Sequence, residues 1–131
     1  MKAWYCLGDS TEPHSTEISD CAGLVPILEE LRKNPWGSML GAVVLEPNQF
    51  SSLTIALVGE GATLGWMPND TLSFHSVGQG SPNRHLAYYV FGQEVEVQEK
   101  EIVPLDVALR AVTAYIETGA PGVPYLLWEQ D

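Results

Sequence analysis

The sequence predicts an α+β fold: a mainly antiparallel, twisted sheet of about six to eight strands packed with two α-helices, in one domain covering residues 1–131. Three observations carry this. Leu53 to Gly78 reads LTIALVGEGATLGWMPNDTLSFHSVG, strand-like runs separated by Gly59-Glu60-Gly61 and Pro68-Asn69-Asp70, the punctuation of antiparallel hairpins. Leu86–Phe91 and Glu94–Val97 repeat that pattern around Gly92-Gln93. Asp20–Lys33 and Pro104–Gly119 instead place apolar residues at helical spacing.

Lys2–Leu7 reads as a first strand, and the polar stretch Gly8–Ser19, with Pro13, as a loop. In the first helix the apolar stripe is Cys21, Leu24, Val25, Leu28 and Leu31. Pro26 is tolerated only in a first turn, so the regular helix starts near Val25. Asn34-Pro35 stops it. Met39–Glu46 is apolar on both faces, as suits a strand covered on both sides, and Pro47-Asn48 ends it.

In the central meander, Glu60-Gly61 is expected as the two-residue turn, setting Leu57 opposite Leu64 and Ile55 opposite Trp66 on one face. A one-residue slip would turn the whole apolar set to water. Gly78–His85, rich in glycine, is expected to be a mobile loop. Pairing across Gly92-Gln93 sets Val90 against Val95 and Tyr88 against Val97, with Glu94 and Glu96 on the opposite face of a solvated edge strand. The second helix opens at Pro104, closes at Gly119, and buries Leu105, Ala108, Leu109, Val112 and Ile116. Pro121, Gly122 and Pro124 link it to a last strand, Tyr125–Glu129.

Composition narrows the function. Six Lys and Arg against seventeen Asp and Glu give a formal charge of −11. Nucleic acid and anionic membrane would be repelled, and a basic protein partner attracted. Cys6 and Cys21 are the only cysteines, too few for a disulfide scaffold, and read as small core residues of a protein in a reducing compartment. Met1–Leu7 is too short for a signal segment, and no apolar run has membrane-spanning length, so the expected location is the cytoplasm. His14, His75 and His85 lack metal-ligand spacing, so neither metal nor cofactor is expected. Ser76 beside His75 is not a nucleophile held by a base and an orienting acid, and the glycines of Gly78–Ser81 build neither a nucleophile elbow nor a phosphate loop. No catalytic residue is assigned, and the chain is not expected to be an enzyme.

Candidate contact residues remain. Glu60, Asp70, Glu94 and Glu96 fall at hairpin tips or on an edge strand, where carboxylates reach water. Trp36 and Trp66 are candidate anchors, tryptophan being enriched at interface hot spots, while Trp128 is expected in the core. One alternative is a small-ligand or regulatory module, with a pocket between the sheet and the helices lined by Tyr88, Tyr89 and Trp66.

The succession LGAVVLE, LTIALVGEGATLGW, FHSVG, YYVFG, IVPLDVALRAVTAYIETG, a proline break and LLWE, from Leu40 to Glu129, resembles an immunity-protein family of bacterial polymorphic toxin systems. It is the first-numbered Imm family, often found with nucleic-acid deaminase toxins. The resemblance implies a small α+β domain, acidic and without an active site of its own, that binds a cognate toxin domain and neutralises it. A toxin that handles nucleic acid carries a basic groove for phosphates, and carboxylates can occupy such a groove in their place.

Overall fold

Turn chemistry fixes the centre of the sheet. In the computed structural model, which describes Met1–Asp131, strands β4 (Ser51–Val58) and β5 (Gly61–Met67) are joined at Gly59-Glu60, one residue before the expected turn. Gly59 adopts φ 59° and takes the first turn position, where a hairpin of type II′ requires glycine. Leu57 therefore opposes Ala62, Ile55 opposes Leu64, and Leu53 opposes Trp66. This register differs from the expected one by two residues, so every side chain keeps its predicted face.

The same correction applies to β7 (His85–Val90) and β8 (Gln93–Gln98). Their turn is Phe91-Gly92, with φ 48° and 76°, the paired positive values of a type I′ turn. Tyr88 opposes Val95, and Val90 opposes Gln93, instead of Val97 and Val95. Glu94 and Glu96 are exposed on β8, which pairs only with β7.

Around these hairpins lie β1 (Lys2–Tyr5), β2 (His14–Glu17), β3 (Ala42–Asn48), β6 (Phe74–Val77), β9 (Val103–Pro104) and β10 (Leu127–Gln130). The main sheet has eight strands in the order β10-β6-β5-β4-β3-β1-β2, with β9 beside the first residues of β5. Every strand pair in it is antiparallel. Strand β2 lies in the stretch expected to be a loop. All four of its residues are exposed, so it pairs through its backbone and displays no apolar alternation.

One face of the sheet carries Leu45, Leu53 and Trp66 in one cross-strand row and Val43, Ile55 and Leu64 in the next. Helices α1 (Val25–Lys33) and α2 (Leu105–Thr118) contribute to the same core cluster. In α1 the buried residues are Ile27, Leu28 and Leu31. Val25 is exposed and Cys21 lies in a preceding short 3-10 turn, because the helix begins only at Val25, with Pro26 in its first turn. In α2 the buried centre is Ala108, Ala111, Val112 and Tyr115; Leu105, Leu109 and Ile116 flank it, partly buried. Alanines at the centre let the helix backbone approach the sheet, and the larger residues close the rim. Cys6 is buried and Cys21 half-buried, and both are free thiols.

The β7–β8 hairpin belongs to a separate two-stranded sheet. Tyr89 anchors it: its backbone N–H donates to Leu40 O at 2.9 Å and its hydroxyl to Asn34 O at 2.7 Å. Tyr89 is fully buried, so it packs the core and does not line a ligand pocket. The stretch after β6, expected to be mobile, is tied to the segment that follows β8. Gly78 N–H donates to Lys100 O, Lys100 N–H to Ser81 O, and Ser81 N–H to the Glu99 carboxylate.

Candidate functional site

Strand alternation places a second row on the face away from the buried core: Val44 opposite Thr54, Thr54 opposite Gly65, Gly65 opposite His75, and His75 opposite Glu129. The hairpin stands over this row. Between the two lies a cleft of about 550 Å³, with Val44, Thr54 and Gly65 on the sheet side and Tyr88, Val90, Val95 and Val97 on the hairpin side. Glu101 and Asp131 bring carboxylates to its lining, and His75 is its only basic side chain. Glu96 borders it too, but strand alternation turns its carboxylate to the far side of the hairpin, toward His85.

His75 is already engaged. Its Nδ1 is hydrogen-bonded to Asp131, and its Nε2 lies 3.8 Å from carboxylate oxygens of both Glu101 and Glu129. Burial alone would raise the Asp131 carboxyl, but hydrogen bonds from His75 and Ser73 and the His75 charge together hold it below the usual range. Glu101 also accepts the Gln98 N–H at 2.7 Å. Burial, helped by the Glu101 charge, pushes the Tyr88 phenol up. His75 and Ser76 do not act together: the Ser76 hydroxyl accepts the Leu64 N–H at 3.0 Å and donates to Glu101 O at 2.7 Å. No group of three or more His, Cys, Asp or Glu side chains is arranged to hold a metal ion.

A second concavity, about 860 Å³, lies where β6 and β10 meet the start of α2. Glu99 and Ile102 belong to its lining and Glu101 to that of the cleft. Val58, Val77, Leu105 and Leu127 give it an apolar surface, and Glu60 stands among them. Tyr125 projects here with 96% of its surface exposed and a left-handed φ of 68°, and Leu127 is 67% exposed. These are the two most exposed large apolar side chains in the molecule. The sequence did not single them out, because Tyr125–Trp128 reads as a buried-type run.

The residues expected to contact a partner do not form one patch. Glu60 stands at the β4–β5 turn, and Asp70 follows the far end of β5. Seven residues of strand separate them, roughly 20–25 Å at about 3.3 Å per residue. Both are exposed, and neither forms an ion pair. Glu94 is exposed on the hairpin, and Glu96 meets His85 Nδ1 at 2.8 Å. Trp36 and Trp66 are only partly exposed and pack against the core. Trp66 meets Phe74 and Trp128, ring centroids 5.5 and 5.8 Å away, and its indole N–H is buried without a partner.

The pattern of the immunity protein Imm1 family matches residues 13–122. The chain belongs to the Imm1 immunity protein family. The match takes in both helices and strands β2 to β9, and hence most of both concavities. Strand β10 and the exposed Tyr125 of this Imm1 protein lie beyond it. No curated protein matches the chain. An immunity protein acts against a toxin, so the surface of this Imm1 domain has a cognate toxin as its partner. No helix of it is long and apolar enough to cross a membrane.

Proposed function

We propose that the protein neutralises a nucleic-acid-acting toxin, of deaminase type, by occupying its basic substrate groove with carboxylates. It works in the cytoplasm by binding, without turnover, cofactor, nucleic acid or membrane. Family membership supplies the toxin as partner, and the observation that carries the rest is the charge left over at the surface. Arg84 already pairs with Glu99, Arg110 with Asp106 and Lys100 with Glu129, while Glu60, Asp70 and Glu94 face water without cations. Uncompensated negative charge speeds encounter with a basic groove and selects against acidic surfaces.

In this reading Glu60, Asp70, Glu94 and Glu96 are the electrostatic contacts. Trp36 and Trp66 contribute only through the part of each ring that reaches the surface. Tyr125 and Leu127 supply the apolar anchors that carboxylates lack, since desolvated aromatic side chains dominate most interfaces. A standard interface of about 800 Å² per partner is roughly 30 Å across. It can therefore hold Glu60 and Asp70 together only if the toxin lies along β5.

Co-expression with the toxin encoded beside the gene tests the reading. Growth should be restored by the wild-type protein and impaired by charge reversal at Glu60, Asp70, Glu94 and Glu96, introduced singly and together. Absence of rescue by the wild type would remove the toxin assignment. Rescue with affinity and salt dependence unchanged in all the variants would remove the electrostatic one.

A further inference from the structure

Gly65 sits in the middle of β5, where a glycine weakens a strand and where β-branched residues fit best. Nothing in the fold requires it. The β4–β5 ladder runs through it without a register shift, and its φ is not left-handed. A Cβ built there would approach nothing closer than Thr54 Cβ, at 4.0 Å. Gly61 and Gly78 differ, since a Cβ on either would lie under 3.0 Å from the segment Ile102–Val103. A glycine that neither a turn nor a neighbouring backbone demands is expected where something from outside approaches the strand. Gly65 lies in the floor of the cleft beneath the β7–β8 hairpin.

The chemistry of the walls says what approaches. Val44, Val95 and Val97 offer apolar surface, and Glu101 and Asp131 offer carboxylates. The one basic group, His75, is taken up by Asp131. A ligand matching both features has an aliphatic stem and a cationic head, as lysine and arginine have. Glu101 and Asp131 share the single His75 imidazole, so the cleft stays net negative: it would repel an anionic group, and a purely apolar one would leave that charge uncompensated.

We infer that this cleft is a socket for a lysine or arginine side chain on a protruding segment of the toxin, the stem lying over Gly65 and the head pairing with the wall carboxylates. The inference rests on the toxin-binding reading and adds the partner's chemistry at one place. It also separates two roles of β5. Its helix-facing side holds the core together, and its other side is kept bare for the partner.

Gly65→Val is the test, because its Cβ would meet nothing closer than 4.0 Å and a β-branched residue favours the strand. The variant is expected to melt at or above the wild-type temperature while its toxin affinity falls at least ten-fold. Glu101→Gln, at the wall, keeps an acceptor for the Gln98 N–H and should weaken binding in the same direction, and Glu29→Gln, on the exposed side of α1, should not. Toxin binding by wild type with Gly65→Val and Glu101→Gln equally tight would overturn the socket and leave the toxin reading standing. If the wild type binds no toxin, titration with N-acetyl-arginine amide, followed by backbone amide NMR, decides the socket separately. Shifts confined to cleft residues, absent with N-acetyl-norleucine amide and abolished by Gly65→Val, uphold it; uniform or absent shifts overturn it.

Discussion

Ser76→Ala tests how the sheet is joined to the segment between the two concavities. Strand β5 changes partners along one edge: Gly61 and Ala62 pair with β9, and Gly65 and Trp66 pair with β6. Leu64 falls in the gap, and its N–H is completed by the Ser76 hydroxyl, which in turn donates to Glu101 O. Ser76 is fully buried, so water cannot stand in for a missing oxygen without entering the core. Removing that oxygen leaves one donor and one acceptor without this partner, each costing about 1–3 kcal/mol when buried. The carbonyl retains a second lone pair and lies nearer the surface, which places the sum at about 2–4 kcal/mol. For a chain of this size each kcal/mol lowers the melting temperature by about 3–5 °C, so a fall of roughly 6–20 °C is expected. Urea unfolding should show the same loss with an unchanged slope, because the surface exposed on unfolding is the same. A loss below about 0.5 kcal/mol would refute the reasoning, since the hydroxyl would then not be completing these groups.

Three further outcomes follow from particular contacts. Gly78→Ala would drive a Cβ into the Ile102 carbonyl oxygen; displacing that backbone is expected to cost about 1–3 kcal/mol, while Gly122→Ala, with nothing within 4 Å, should be near neutral in the same urea titration. Glu99 is held below the usual carboxylate range by the Ser81 N–H, against a raising effect of burial and with help from Arg84, and Asp131 is lowered as described. A lowered folded-state pKa stabilises the fold above the unfolded value, and that contribution is lost as pH falls through the folded value. Acid should therefore loosen the Ser81–Glu99 and β6–β10 ties below the ordinary carboxylate range, a dependence that amide exchange should show weakened in Glu99→Gln and in Asp131→Asn. Tyr125→Ala should leave the unfolding free energy within about 0.5 kcal/mol of wild type, as for an exposed side chain, and lower toxin affinity about ten-fold by calorimetry.

Much of this architecture could be read from the chain because its signals are local. Pro26 and Pro104 mark helix starts, Gly119 marks a helix end, and alternation assigned the faces of β4, β5, β7 and β8 correctly. The turns were displaced because each hairpin offers adjacent residues able to turn. Gly59 and Phe91-Gly92 took the positive-φ positions instead of Gly61 and Gly92-Gln93. A two-residue change of register leaves the alternating pattern intact, so that pattern could not decide between them. Strand β2 has no pattern to read, since an edge strand exposed on both sides needs none.

The candidate site was less legible because it is assembled from distant parts of the chain. His75 and Asp131 are separated by 56 positions and meet only because β10 returns to pair with β6. The same pairing makes β10 an edge strand with Tyr125 just before it, so an apolar sequence that reads as core becomes exposed surface. Glu60 and Glu96 stand at the turn and edge positions expected of them, but the concavities beside them had no signal in the sequence. Gly65 did carry a signal, a glycine within a strand, whose meaning appears only once its neighbours prove to leave room for a side chain.

The most direct measurement is the affinity of the purified protein for its cognate toxin domain, by calorimetry, as the salt concentration is raised. Carboxylates seated in a basic groove predict a one-to-one complex that is tight at low salt and weakens steadily as salt screens the charges. A complex whose affinity is indifferent to salt, or no complex at any salt concentration, would contradict the account.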